Sequence, residues 1–127
     1  MPDMYFTKDH EWVRVDGEVA TCGITDYAQK ALGDVVYVEL PTVGKTAKQG
    51  DQIAVVESAK AASEVYAPIS GAVVAVNDAL SSDPSKVNSA PMGDGWFFQL
   101  KPSNTDEIKN MMTEAAYQDF VKGLLAG

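Results

Sequence analysis

A mainly β fold, a flattened barrel or a sandwich, is what this sequence predicts, and three observations carry it. Short runs rich in β-branched and aromatic residues are broken by Gly, Pro, Asp and Asn, the punctuation of strands and turns. Two of these runs are near copies, Gly33-Asp34-Val35-Val36-Tyr37-Val38 and Gly71-Ala72-Val73-Val74-Ala75-Val76. A helical period takes over only past Ser103.

The first element is a hairpin. Glu11 to Ala20 alternates around Asp16-Gly17, a tight-turn pair, and its second strand runs on to Gly23. Thr25 to Gly33 predicts a helix of about two turns, with Asp26 and Gln29 at capping-box spacing and Gly33 as the stop. Val35 to Leu40 is a strand ended by Pro41, and 43–51 is turn-rich with short extended pieces at most. Ile53 to Ser58 and Ala62 to Ala67 are strands joined through the tip Ala59-Lys60-Ala61. Ser70 to Asn77 is a turn and then a strand. Residues 79–95 form a long loop with one short helix, and Trp96 to Leu100 is the last strand, ended by Pro102. Ile108, Met111 and Met112 have helical spacing, as do Ala116, Tyr117, Phe120, Val121, Leu124 and Leu125, with Thr113 as N-cap.

The repeat predicts two interlocked halves related by pseudo-symmetry, with the Lys60 hairpin projecting from one end. The 127 residues suit one domain, residues 1–127, in which about 103–126 form a helical extension packed on the barrel. The apolar stripe of residues 114–125 then faces the barrel, a partner-binding helix being the alternative.

Composition excludes several classes of function. Eighteen acidic residues against ten basic ones leave a net charge of -8, the wrong sign for bulk nucleic-acid binding or for an anionic membrane surface. No stretch approaches the roughly 20 apolar residues of a membrane span. The start, Met1-Pro2-Asp3-Met4, lacks the basic and apolar regions of a signal peptide. One cysteine, Cys22, excludes an internal disulfide and a cysteine-rich zinc site, and one histidine, His10, argues against a metal centre. The expectation is an acidic intracellular domain without metal, in a reducing compartment. Trp12, Trp96, Phe97 and Phe98 are packing residues, and Cys22 is a small buried hydrophobe.

Lys60 is the most informative residue. It stands at a hairpin tip among Ala and Ser, so its amine has room around it. A solvated surface lysine is the default for such a position. A Schiff-base lysine needs a desolvated site, which a tip does not offer. Covalent attachment of a prosthetic group suits an exposed tip, because the arm must reach other proteins.

The ordered motifs around this lysine resemble the H-protein family of the glycine cleavage system. They are His10-Glu11-Trp12-Val13, Gly23-Ile24-Thr25-Asp26-Tyr27-Ala28-Gln29, Leu32-Gly33-Asp34-Val35-Val36, Val38-Glu39-Leu40-Pro41 and Val43-Gly44. Val55-Val56-Glu57-Ser58, Lys60-Ala61-Ala62-Ser63, Ala67-Pro68 and Ser70-Gly71 follow, then Val87-Asn88, Gly95-Trp96 and Lys101-Pro102. Ala59 stands where the familiar family form has Val, a change that does not touch the amine. Biotinyl domains flank their lysine with Met, absent here, and 2-oxoacid dehydrogenase lipoyl domains carry Asp where this chain has Ala59.

The resemblance implies a fold of the lipoyl/biotinyl-carrier hybrid-motif type and a non-catalytic shuttle. It implies lipoate attached to Lys60 as N6-lipoyllysine, with Glu57 and Gly71 in the pattern read by lipoate-attaching enzymes. The arm would carry an aminomethyl group from glycine decarboxylase (P protein) to the tetrahydrofolate-dependent aminomethyltransferase (T protein), and dihydrolipoyl dehydrogenase (L protein) would reoxidise it. An H-like relay donating lipoyl groups to other enzymes is the alternative. The implied location is the bacterial cytoplasm, or the mitochondrial matrix for a processed eukaryotic form.

A loaded arm is cationic and gains from shelter, so carboxylates near Lys60 would attract it. Glu11, Glu64 and Asp9 are the candidates for such a cleft, with His10 as a possible guard. The competing expectation is that the carboxylates are solvated and that His10 is a hydrogen-bonded structural histidine.

Overall fold

A computed structural model of the chain describes residues 3–126. Met1, Pro2 and Gly127 lie outside the described residues, as do the side chains of Asp3, Thr105, Leu125 and Ala126. Two antiparallel sheets face each other. The larger contains β1 (Asp3–Phe6), β2 (Glu11–Asp16), β3 (Val19–Ile24), β5 (Thr46–Ala47), β8 (Gly71–Val76), β9 (Phe98–Pro102) and β10 (Met112–Thr113). Its spatial order is β10-β1-β2-β3-β9-β8-β5. The smaller holds β4 (Val35–Glu39), β6 (Gln52–Ser58) and β7 (Ala62–Tyr66), in the order β4-β6-β7. Helix α1 spans Asp26–Leu32, short helices α2 and α3 span Ala79–Ser82 and Lys86–Ser89, and α4 spans Glu114–Ala126. The architecture is a flattened sandwich, not a closed barrel.

The first hairpin forms where the alternation places it, but its turn is shifted by one residue. Asp16 pairs with Val19, so Gly17 and Glu18 are the two loop residues, and Gly17 takes φ 64°. A positive φ at the first loop position is where glycine is needed. Helix α1 also departs from expectation at its start. Thr25 is the N-cap and accepts from Ala28 N, while Gln29 donates to Asp26 Oδ1 within the first turn. Gly33 ends the helix at φ 84°.

Strands β1 and β10 carry no strong sequence signal. β1 is short and pairs on both edges, with β2 and with the two-residue β10. Met111 and Met112 therefore leave the helical pattern: a 3-10 turn over Thr105–Asn110 ends at Met111, and β10 follows. Thr113 still caps α4, accepting from Ala116 N at 3.3 Å. The last long strand begins at Phe98 and continues through Lys101 and Pro102, beyond the expected stop, because Gly71 and Ala72 pair with them. The 79–95 segment holds two short helices rather than one.

The larger sheet is covered on both faces, which is why β2 breaks simple alternation. Val13 packs with Val73, Phe97, Phe98 and Leu100 between the sheets. Trp12 faces the other way, with Phe6 and Tyr117. Its indole donates to Pro91 O at 3.0 Å. Of the α4 stripe, Tyr117 is buried, Phe120 and Val121 are half-buried, and Ala116 and Leu124 are exposed. Cys22 is buried, as are Phe97 and Phe98; Trp96 is half-buried.

The internal repeat is visible as matched irregularities. β4 pairs with β6 and β8 pairs with β9, each with a register shift, between Val35 and Tyr37 in one and between Val73 and Ala75 in the other. The residues passed over, Val36 and Val74, are both exposed because a bulge turns its extra residue out of the pleat. The halves also interlock. β5 from the first half pairs with β8 of the second, and Val73 N donates to Lys45 O. At the matching position Val35 N donates to Asn88 Oδ1, from the second half, at 2.8 Å.

Asn88 also donates from Nδ2 to Gly33 O at 2.8 Å and to Gln29 Oε1 at 3.0 Å. One amide thus joins the end of α1 to the start of β4. Asn88→Ala would leave the Val35 N–H and the Gly33 carbonyl without these partners, and we expect a loss of about 1–3 kcal/mol in unfolding free energy. Urea denaturation measures this, and faster hydrogen exchange at Val35 localises it.

Candidate functional site

The turn carrying Lys60 is built around one hydroxyl. Ser58 Oγ accepts from Lys60 N at 3.3 Å and from Ala61 N at 3.0 Å, and donates to Ala61 O at 3.1 Å. Ser58 N donates to Ala61 O at 2.7 Å, and Ala59 N donates to Asp34 O at 3.1 Å, which ties the tip to the β4 side of the sheet. Lys60 is exposed, and among the described residues it makes no ion pair. Its stem crosses the end of α1: a Cβ added at Gly33 would lie 3.4 Å from Lys60 Cε. The desolvation that a Schiff-base lysine requires is not present here.

A cleft of about 190 Å³ opens one residue from that crossing, since Leu32 lines it. Its walls are α1, β7 and the turn before β2. All four arm-cleft candidates, Asp9, His10, Glu11 and Glu64, line it, beside apolar Ile24, Ala28, Val56 and Val65. They are not alike. Glu64 and Asp9 are exposed, and Glu64 accepts from the Tyr66 hydroxyl at 2.8 Å. That hydrogen bond raises the Tyr66 phenol above its ordinary range.

Glu11 is 2% exposed. Thr7 Oγ1 donates to Oε1 and Tyr66 N donates to Oε2, both at 2.9 Å. Burial pushes its carboxyl up to about 7, against the lowering effect of those two hydrogen bonds. The expectation of a solvated carboxylate fails for Glu11 because Thr7, β2 and β7 exclude water from both oxygens. His10 is half-buried, with burial lowering its proton affinity and Asp9 opposing that. Its ring packs at a tilt against Tyr27, and Nδ1 lies 2.8 Å from the Tyr117 hydroxyl.

The two attachment candidates part company. Glu57 is half-buried on β6, paired with Tyr37 and Ala62 next to the tip. Gly71 lies on β8 in the other sheet, and a Cβ there would run into the backbone carbonyl of Lys101. Close backbone approach alone therefore demands glycine at this position. Ser58, Asn88, Thr7 and Tyr117 escaped sequence reasoning. Ser58, two residues before the lysine, carried a detectable hydroxyl-turn signal; the others act across long chain separations.

A small β sandwich that lifts one lysine on a clamped hairpin tip, beside a cleft holding a dry carboxyl, defines a carrier protein rather than a catalyst. The glycine cleavage H-protein family model matches residues 4–124. The chain belongs to that family, whose members are lipoyl-bearing shuttles of the glycine cleavage system, with the lipoyl group on a lysine. The glycine cleavage system H protein of Parvibaculum lavamentivorans is 58% identical over 124 residues, covering 98% of this chain and 99% of its own. That of Beijerinckia indica is 59% identical over 119 residues, covering 94% and 96%. The crystal structure of a glycine cleavage system H protein from Mycobacterium marinum superposes with a TM-score of 0.87 at 35% identity, covering 96% of this chain and 98% of that one. These relatives are bacterial, and nothing among them favours the mitochondrial alternative. Among the described residues no helix is long and apolar enough to cross a membrane.

Two predictions follow from this geometry. The folded pKa of Glu11 lies above its unfolded one, so the folded state binds the extra proton between about 4.5 and 7. Stability from this group is highest at the acid end and falls as pH rises through that window. Glu11→Gln should flatten the fall, with a relative gain of up to about 3 kcal/mol at pH 8 and none at pH 4, read from denaturation at both. Gly71→Ala should cost about 1–3 kcal/mol through overpacking, seen in the unmodified protein where no attaching enzyme is involved.

Proposed function

We propose that Lys60 carries the lipoyl group, that Glu57 and Gly71 belong to the surface and frame recognised on attachment, and that the cleft beside α1 shelters the loaded arm. The observation that carries this is the pairing of an exposed lysine, whose stem lies against Gly33 at the end of α1, with a dry carboxyl in the cleft that Leu32 of the same helix lines. A lipoyl group attached there would supply a disulfide, the oxidised form able to accept an aminomethyl unit on one sulfur as the other is reduced to a thiol; the dithiol left once the unit has moved on would need reoxidation.

The chain's own residues do the rest. Ser58 holds the tip in one turn, so the amine is presented the same way to each enzyme. Gly33 leaves room for the stem to lie toward the cleft. Ile24, Ala28, Val56 and Val65 keep water out, and Glu11, Glu64 and Asp9 attract a cationic amine. Glu11 acts most strongly, because a charge-assisted hydrogen bond gains most where water is excluded. An arriving cation favours its ionised form, so loading near pH 7 releases a proton from Glu11.

The partners are glycine decarboxylase, the aminomethyltransferase, dihydrolipoyl dehydrogenase and a lipoate-attaching enzyme, in a bacterial cytoplasm. The net charge of -8 favours basic docking patches on them. Intact mass and peptide mapping of protein from its own cells test the attachment. A lipoyl increment on Lys60, lost in Lys60→Ala, is expected; an unmodified lysine in cells with working lipoate metabolism overturns it. Glu11→Gln should shorten the lifetime of the loaded arm by about tenfold or more, the worth of one charge-assisted hydrogen bond. An unchanged lifetime would remove Glu11 from the site.

A further inference from the structure

The arm cleft is tied to the C-terminal helix through one imidazole. His10 lines the cleft and packs at a tilt of 34° against Tyr27 of α1, ring centroids 4.5 Å apart. Its Nδ1 meets the hydroxyl of Tyr117, which comes from α4 and does not line the cleft. Tyr117 is 3% exposed and stacked on Phe6, centroids 4.6 Å apart and planes 10° off parallel. The same hydroxyl lies 2.7 Å from Thr25 Oγ1, which also accepts from Ala28 N.

Counting protons sets the direction of this chain. Thr25 is 1% exposed, so its hydroxyl hydrogen needs an acceptor within the protein. Among the described residues Tyr117 is the acceptor in reach. Thr25 then donates to Tyr117, Tyr117 donates to His10 Nδ1, and the imidazole proton sits on Nε2. Reversing the chain would strand the Thr25 proton. A second proton on His10 has no place at Nδ1 unless the Thr25 or the Tyr117 hydroxyl hydrogen gives up its acceptor.

The backbone holds His10 equally firmly. It takes φ 66°, a left-handed conformation that costs a non-glycine residue energy. His10 N donates to Thr7 O at 3.1 Å, and Thr25 N donates to His10 O at 2.9 Å. Thr25 thus grips both the backbone and, through Tyr117, the ring of one strained residue.

We propose that Tyr117 is a positioning residue for the arm cleft: its hydroxyl, fed by Thr25, holds His10 neutral and fixed, so the cleft presents only carboxylates to a cationic guest. This rests on the arm-cleft reading above. The groups facing His10 are Asp9 and Glu11 from its own segment, Glu64 from β7, Tyr27 from α1, and Tyr117 from α4. A charged imidazole among them would offset the carboxylates and repel an ammonium. Burial of His10 acts in the same direction as the relay.

His10 is the single histidine, so its NMR titration in the unmodified protein is unambiguous. Tyr117→Phe keeps the ring stacked on Phe6 and removes the donor. Its His10 midpoint should rise by about half to one pH unit, the worth of one lost hydrogen bond to the neutral form. An unchanged or lowered midpoint overturns the proposal. In the lipoylated, amine-loaded protein, Tyr117→Phe should shorten the arm's lifetime below the new midpoint and leave it unchanged at pH 9. Shortening that is equal at every pH marks a merely structural role and overturns it. A lifetime unchanged in Tyr117→Phe but shortened in Glu11→Gln overturns the relay alone, whereas a lifetime unchanged in both overturns the cleft reading.

Discussion

The carboxylate of Glu11 joins the two sheets. It leaves β2 of the larger sheet and accepts from Tyr66 N on β7 of the smaller one, while Thr7 Oγ1 holds its other oxygen. A carboxyl in this position cannot be solvated, and it is difficult to ionise without a positive charge nearby. Its ionisation is therefore costly while no cation is near, and under the proposed arm-cleft function an entering ammonium would relieve that cost. The neighbouring apolar side chains of α1 and β6, Ala28 and Val56 among them, make that cost possible.

The lysine has the opposite requirement. It must stay in water and yet not wander. Ser58 meets this with a hydroxyl that satisfies two backbone N–H groups of the tip, and Asn88 fixes the platform of Gly33 and Val35 beneath it. A rigid base under a free amine suits a group that several enzymes must find in the same place. Carrier function here is a matter of position and polarity, with the chemistry left to the attached group and the partner enzymes.

The two halves of the internal repeat each carry one bulge, at matching positions. Val36 and Val74 occupy equivalent places and turn outward for the same reason, yet only the first copy is followed by the lysine hairpin. Each half supplies the hydrogen-bond partner that the other half's strand needs, Lys45 for Val73 and Asn88 for Val35. Neither half would have its edge satisfied alone, so the two fold as one unit.

The strands of the two hairpins, the end of α1 and the exposed place of Lys60 were legible in the chain, because alternation, a Gly stop and a tip of small residues act over a few neighbours. The turn at Gly17-Glu18 and the cap at Thr25 each differ by one residue from the local pattern, the usual margin where flanking pairs choose the register. Strand β10 was not legible, since it is held by pairing with β1 across more than a hundred residues, and β1, though it pairs with nearby β2, is too short to show an alternating pattern. The cleft divides the same way. Asp9, Glu11 and Glu64 could be named as carboxylates near a lysine, but that Glu11 is dry while Glu64 is wet depends on what packs over each. Thr25 meets Tyr117 across 92 residues and His10 meets it across 107. The sequence by itself determined which groups were available and which lysine stood free. Tertiary packing decided which carboxyl lost its water and which hydroxyl the histidine ring meets, because desolvation and hydrogen-bond partners are set by neighbours in space.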